Sequence, residues 1–236
     1  MLLSIVIPVY NETRTIKQLI DYVQSVKYPI PHEVILIDDA STDRTSEKEF
    51  LIKKKYQSSL ANIRVFKNRI NRGKGYSIRK GIRRARGSII IIQDADYEYN
   101  PHDIPKLIEP IIEKEIDVVY GSRFLESRHP KDMAFPNWVA NIALTQLTNW
   151  LFGLALTDME TCYKCFNSEI IKSLSLRSNR FTFEPEVTAL LAKKGIRIKE
   201  LPISYRGRSS KEGKKIKARD FFYAVLILLW QRIKSN

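Results

Sequence analysis

Four consecutive isoleucines, Ile89 to Ile92, followed at once by Gln93-Asp94-Ala95-Asp96-Tyr97-Glu98, constrain this chain more than any other stretch. The run is β-branched throughout, too short for a typical helix and preceded by Gly87, so it reads as a buried strand. Where the strand stops it delivers three carboxylates, two of them spaced D-x-D. Carboxylate oxygens suit a hard divalent cation, and Mg²⁺ needs only one or two of them because phosphate oxygens complete its shell. A nucleotide-diphosphate site is one reading. The other is that Asp94 caps the next segment while Asp96 and Glu98 are solvated loop charges.

The neighbouring segments repeat the pattern. Leu2 to Pro8 reads as a first buried strand, followed by the polar loop Val9-Tyr10-Asn11-Glu12 and a helix carrying Ile16, Leu19, Ile20 and Val23. Glu33 to Ile37 is a second strand, stopped by Asp38-Asp39. Ala40-Ser41-Thr42-Asp43 then offers caps for the next helix. Ile63 to Phe66 is a third strand, and Asn71-Arg72-Gly73-Lys74-Gly75 opens a helix with Ile78, Ile82 and Ala85 on one face. A helix from Pro101 to Glu113 and a strand at Asp117 to Tyr120 complete the alternation, which leaves the sheet at Gly121-Ser122-Arg123. Alternating strands and helices imply a mostly parallel sheet with helices on both faces, and ligands of such sheets bind outside the carboxyl ends of the strands. Glu12, Asp39, Asp94, Asp96 and Arg123 all fall at such ends, which scattered caps do not predict.

The second half is more apolar. Asn137 to Gly153 reads as an aromatic helix, a further helix begins near Glu184, and Ile196 to Ile203 alternates like a half-buried strand. A cation-rich loop, 205 to 215, leads to a basic, aromatic last helix through Phe221 and Trp230. No Gly/Ser/Pro tract divides the chain, so one α/β domain is expected, residues 1–215, with residues 216–236 as a C-terminal amphipathic helix.

Forty Lys and Arg against 26 Asp and Glu give a formal net charge of +14, which favours an anionic partner. Nucleic acid is not expected, because no zinc-finger spacing or RNP-like motif is present and the acidic strand ends would repel phosphates without a metal. Neither a G-x-G-x-x-G fingerprint nor a P-loop occurs. Cys162 and Cys165 form a lone C-x-x-C without further zinc ligands or a thioredoxin-like context. Met1-Leu2-Leu3 runs into a strand without a basic n-region or cleavage site, so the cytoplasm is expected. No apolar run reaches the roughly 20 residues that span a bilayer.

Taken together, S-I-V-I-P-V-Y-N-E (4 to 12), I-D-D-A-S-T-D-R-T (37 to 45), N-R-G-K-G (71 to 75), Q-D-A-D (93 to 96) and V-V-Y-G-S-R-F (118 to 124) resemble family-2 glycosyltransferases of the GT-A fold. T-D-M-E-T-C-Y-K (157 to 164) and E-L-P-I-S-Y-R-G-R (200 to 208) narrow the resemblance to the dolichol-phosphate mannose synthase-like branch. It implies that Pro8, Tyr10, Glu12, Ile37 and Asp39 hold the base and ribose of a nucleotide-sugar. Asp94, Ala95 and Asp96 would form the D-x-D-type motif, with Asp96 and Glu98 carrying Mg²⁺ or Mn²⁺ against the diphosphate. Arg123, Arg208 and Lys214 match cationic positions that clamp donor or acceptor phosphates, and Asp96, Arg123 and Arg208 would be catalytic.

The implied reaction is inverting transfer of a hexose from a nucleotide-sugar to polyprenyl phosphate at the cytoplasmic membrane face. GDP-mannose is the expected donor, and UDP-glucose or another UDP-sugar is the rival. Transfer to a glycan hydroxyl is the alternative and would need a carboxylate base, for which Asp158, Glu160, Glu184 and Glu186 are candidates. One departure concerns the helix after G-S-R, where this branch often places an Arg and a Ser. This chain has Asn137-Trp138-Val139-Ala140-Asn141. The two aromatic helices, 137 to 153 and 217 to 234, suit a membrane interface, where apolar burial and basic charge add.

Overall fold

The computed structural model describes residues 1–56, 62–127, 129–130, 132–207 and 218–234. Seven strands form one sheet: β1 (Leu3–Val9), β2 (His32–Asp38), β3 (Asn62–Lys67), β4 (Ile89–Ile92), β5 (Val118–Ser122), β6 (Lys164–Asn167) and β7 (Lys199–Pro202). Their order is β3-β2-β1-β4-β6-β5-β7. All pairings are parallel except those of β6, which runs antiparallel between β4 and β5. The four isoleucines of β4 are buried, as expected of a strand covered on both faces, and each contributes about 1.5–3 kcal/mol of burial.

The helices are α1 (Ile16–Ser25), α2 (Thr45–Lys55), α3 (Lys74–Arg84), α4 (Ile104–Ile112), α5 (Phe135–Phe152), α6 (Ser168–Lys172), α7 (Phe183–Lys193) and α8 (Ala218–Ile233). Helix α3 packs across β1 and β2, and Gly81 is what lets it approach. A Cβ there would sit 2.2 Å from Val6 Cγ1. The segment read from sequence as one helix from Pro101 opens instead as a 3₁₀ turn, Pro101–Asp103, because the Asn100 side chain accepts the His102 N–H. Strand β5 runs on through Ser122, two residues beyond Tyr120. Helix α5 begins at Phe135, since Pro136 is tolerated in a first turn. It ends at Gly153, whose φ of 66° supplies the left-handed cap.

The chain leaves β1 and β2 through two loops held in the left-handed region at Asn11 (φ 52°) and Ala40 (φ 59°). Asn11 staples them together: its N–H donates to Ser41 Oγ at 3.0 Å, and its Oδ1 accepts from Thr42 N at 2.8 Å. Asp43 accepts from Thr45 N at the start of α2 and also from Thr13 N.

Two buried glutamates show what burial requires. Glu33 accepts from Ser4 Oγ, Arg86 N and Arg64 Nη1 at 2.7, 2.7 and 3.0 Å. Burial opposes its charge, but these donors hold its carboxyl below the usual range. Glu49 of α2 is 3% exposed, its Oε1 has no partner, and burial beside Asp38 pushes its pKa up to about 8. Between the ordinary glutamate value and pH 8 the unfolded chain has released this proton while the folded chain keeps it, so stability falls as pH rises across that window. Glu49→Gln is therefore expected to gain on the wild type from pH 5 to pH 8, by about 1–3 kcal/mol. Thermal melts at the two pH values measure the difference.

Candidate active site

Every strand except β6 points its carboxyl end to one rim, and β6 starts there, so residues 158–163 enter the rim as well. The strand order reverses between β1 and β4, which is where a ligand crevice opens in such sheets. A cavity of about 760 Å³ occupies this place. Pro8, Tyr10, Glu12, Asp39, Asp94, Ala95, Asp96, Glu98 and Arg123 all line it. Ile37 does not, because its side chain is fully buried within β2. Asp38 is likewise buried and turned to Ser41 N and Ser46 Oγ. Arg208 and Lys214 lie outside the described residues.

Asp39 is already engaged. Its Oδ1 accepts from Asn68 Nδ2 at 2.7 Å and Arg72 N at 2.9 Å, and its Oδ2 accepts from Gly73 N at 2.6 Å. It thereby fixes the loop Asn71-Arg72-Gly73 that opens α3. Gly73 has a φ of 95°, and a Cβ there would lie 2.5 Å from the Asn179 carbonyl, so no side chain fits. Gly75 N and Tyr76 N donate to the carbonyls of Arg180 and Asn179, which closes the helix start with main chain.

Lys74, held by this loop, lines the cavity. Its Nζ lies 2.9 Å from Asp94 Oδ1 and 3.0 Å from Glu184 Oε1. Burial works against its charge, but the carboxylates of Asp94 and Glu184 hold the ammonium well above the usual lysine range. Lys74 thus joins the D-x-D loop to the start of α7. The role of Lys74 is not legible in G-K-G alone, since its two partners come from distant segments.

Asp96 and Glu98 sit on one tight turn, in which Glu98 N donates to Asp96 Oδ1 at 3.1 Å. The Tyr205 hydroxyl donates to Glu98 Oε2 at 3.3 Å, and Tyr99 bridges Tyr205 through the main chain, so the segment after β7 closes over this loop. Among the described residues, no cluster of three or more His, Cys, Asp or Glu is gathered for a metal. Two carboxylates on a cavity wall nevertheless match the donor set of Mg²⁺ or Mn²⁺, whose remaining ligands are phosphate oxygens and water.

Arg123 is 8% exposed and paired bidentately with the fully buried Asp158, Nε to Oδ2 and Nη2 to Oδ1, both at 2.7 Å. Nη2 also donates to Asn141 Oδ1 of α5 at 3.3 Å. Glu200 of β7 fixes the far side by accepting from Thr157 N and Asp158 N. The guanidinium is held charged despite burial, with Asp158 the main cause, and it lies 5.3 Å from the centre of the Tyr205 ring.

Of the four candidate bases, three are committed. Asp158 holds Arg123, Glu184 holds Lys74, and Glu186 accepts from Arg177 N and Ser178 N. Glu160 lines the cavity with its Oε1 shielded and unpartnered. Cys162 and Cys165 are buried free thiols, raised by burial and therefore kept protonated.

A second, mostly apolar part of the lining is built by Pro136, Val139, Ala140, Ala143 and Leu144 of α5 and by Phe221, Phe222 and Ala224 of α8, with Asn137, Asn141 and Asp220 as its polar members. Both helices pack on α7 as well as on each other. Helix α8 buries the stripe Asp220, Ala224, Leu228 and Gln231, yet it exposes Phe222, Tyr223, Leu226, Leu229, Trp230 and Ile233. Phe135, Val139 and Trp150 of α5 are exposed too. Among the described residues, no helix is long and apolar enough to cross a membrane.

Glucosyl-3-phosphoglycerate synthase from Mycobacterium tuberculosis, solved with Mn²⁺, UDP and glucosyl-3-phosphoglycerate, superimposes with a TM-score of 0.71 at 18% identity, over 99% of this chain and 81% of that one. The fold is therefore the GT-A type of α/β fold. The Glycosyl transferase family 2 model matches residues 4–173. A UDP-N-acetylglucosamine–dolichyl-phosphate N-acetylglucosaminyltransferase from Methanococcus voltae is 30% identical, with 96% of each chain covered. A dodecaprenyl-phosphate galacturonate synthase from Rhizobium johnstonii is 29% identical over 99% of this chain and 68% of that one. The chain belongs to glycosyl transferase family 2 and is a glycosyltransferase.

Proposed function

We propose that this protein transfers a hexose from a nucleotide-sugar to the phosphate of a polyprenyl phosphate, with inversion at the anomeric carbon. One observation carries the reading: a single cavity joins the carboxylate rim at the strand ends to an apolar wall that runs out onto the exposed faces of α5 and α8. A nucleotide-sugar fits the first part and an isoprenoid phosphate the second. The names of the two relatives support the same class of acceptor while differing in the sugar.

Base and ribose lie against Pro8, Tyr10 and Glu12, and the diphosphate against Asp94 and Asp96. Asp96 and Glu98 would hold Mg²⁺ or Mn²⁺, which when bound neutralises the charge growing on the departing nucleotide. Lys74 locks Asp94 in place. Arg123, which lines the cavity, meets the acceptor phosphate, with Arg208 and Lys214 of the cationic loop as further clamps. An ionised phosphate oxygen attacks without a general base, and the occupied state of Asp158, Glu184 and Glu186 agrees with that. A hydroxyl acceptor would need one of them released, or Glu160 as its base. The exposed aromatic faces, with Arg232 and Lys234 at the end of α8, suit attachment to the cytoplasmic membrane face. GDP-mannose is the preferred donor and UDP-glucose the rival.

Incubating the protein with labelled GDP-mannose or UDP-glucose, Mn²⁺ and either polyprenyl phosphate or the matching polyprenol tests the acceptor. Label is expected in the lipid extract only with the phosphate. Equal labelling of the free alcohol, or none with either, would reject it.

A further inference from the structure

Glu160 is a cavity-lining carboxyl that the reaction as described leaves without a task. It lies in the loop before β6, its side chain is partly buried, and its Oε1 is sealed from solvent without a hydrogen-bond partner. The closest cation in sequence, Lys164, is spent elsewhere. Its Nζ donates to the carbonyls of Met159 and Thr161, both at 2.7 Å, and sits 4.0 Å from the centre of the Tyr120 ring. The charges that face Glu160 are Glu184 of α7, Lys164 of β6, Arg123 after β5 and Asp158 of its own loop. It therefore feels both Glu184, which Lys74 ties to Asp94 on the diphosphate side, and the Arg123–Asp158 pair assigned to the acceptor.

A shielded carboxyl oxygen without a partner is costly, and the cost is removed when a bound group donates to it. Phosphate oxygens at the diphosphate and at the acceptor have no proton to offer, and the isoprenoid has no polar hydrogen. The part of the two substrates that combines hydroxyl donors with a place between the phosphates is the sugar itself. We propose that Glu160 is a specificity-determining residue that binds a hydroxyl of the transferred hexose, so that the sugar, and not only its nucleotide, is held before transfer. Burial, with Glu184 adding to it, raises the carboxyl's pKa, so the group enters this role as a neutral acid able to donate as well as accept.

The inference rests on the nucleotide-sugar half of the proposed function and not on the lipid acceptor, so its test omits the acceptor. Equilibrium binding of GDP, GDP-mannose, UDP and UDP-glucose with Mn²⁺ is measured for the full-length wild type, Glu160→Ala and Glu160→Gln. With whichever pair binds, the wild type is expected to hold the nucleotide-sugar more tightly than the nucleoside diphosphate. Glu160→Ala should erase about 10- to 100-fold of that preference while leaving the diphosphate affinity unchanged. Glu160→Gln, which keeps a donor and an acceptor, should recover most of it. A preference that survives in Glu160→Ala overturns the assignment. So does an equal loss for sugar-bearing and sugar-free nucleotides, which would make Glu160 a structural residue. A wild type that binds none of the four overturns the donor reading and this inference with it. Binding by the wild type without transfer to any lipid phosphate removes the acceptor reading alone.

Discussion

Replacing Asp96 with Asn is expected to lower sugar transfer by about 10²- to 10³-fold and to remove most of the affinity for nucleoside diphosphate that Mn²⁺ or Mg²⁺ adds. Asp96 is only 7% exposed, yet it lines the cavity and receives the Glu98 N–H, so its carboxyl is fixed on the wall rather than free to swing. The amide keeps the shape and loses the charge. Titrating the nucleotide with and without metal, in parallel with initial rates, separates the two effects. Asp94→Asn serves as the comparison. Asp94 is anchored by Lys74 at 2.9 Å, so its loss should disturb the placement of Lys74 and Glu184 and lower the rate, while leaving more of the metal response intact.

The second large effect concerns Arg123. Removing it in Arg123→Ala leaves the Asp158 carboxylate fully buried without its partner, and breaking such a pair costs about 3–5 kcal/mol. For a domain of this size that corresponds to a fall in melting temperature of about 10 °C. Transfer should fall as well, through loss of the cation proposed to meet the acceptor phosphate. An Arg123→Met, Asp158→Leu double variant removes both charges at once and is expected to regain much of the stability, since an apolar pair of similar volume often replaces a buried ion pair without loss. Its transfer activity should stay low. Melting curves together with the KM for polyprenyl phosphate read the two contributions apart. Recovery of activity along with stability would limit Arg123 to a structural role.

The parts of this fold that were legible in the sequence are those where a continuous apolar run meets a sharp polar stop. Ile89 to Ile92 ending at Asp94, and Val34 to Ile37 ending at Asp38-Asp39, show both the strand and the rim it serves. Strand β6 gave no such signal. Lys164-Cys165-Phe166-Asn167 is four residues long and opens with a lysine that is fully buried, because main-chain carbonyls and the Tyr120 face satisfy it. Its antiparallel placement between β4 and β5 depends on pairings across distant segments, which local pattern does not encode. Of the Ile196 to Ile203 segment only Lys199–Pro202 is strand, and its four residues are uniformly half-buried rather than alternating.

The site shows the same division. Residue types at strand ends placed Glu12, Asp39, Asp94, Asp96 and Arg123 around one cavity. What each carboxylate is bonded to was hidden, because Asp39 spends its oxygens on the Arg72–Gly73 main chain and Glu184 is reached by Lys74 from α3. Glu160 could be marked from its motif as an acid near the site. That its Oε1 has no partner is a property of packing alone.

The reaction proposed here makes one structural statement about its product. An α-linked donor attacked directly by an ionised lipid phosphate, with Asp158, Glu184 and Glu186 occupied and Glu160 assigned to the sugar, must give a sugar joined through its anomeric oxygen to phosphorus with the β configuration. Phosphorus and proton NMR of the purified lipid product, made by the wild-type protein from GDP-mannose or UDP-glucose, measures linkage and configuration together. A β-linked glycosyl phosphate is the result predicted. An α-linked product, or a sugar found on a hydroxyl with no bond to phosphorus, would contradict it.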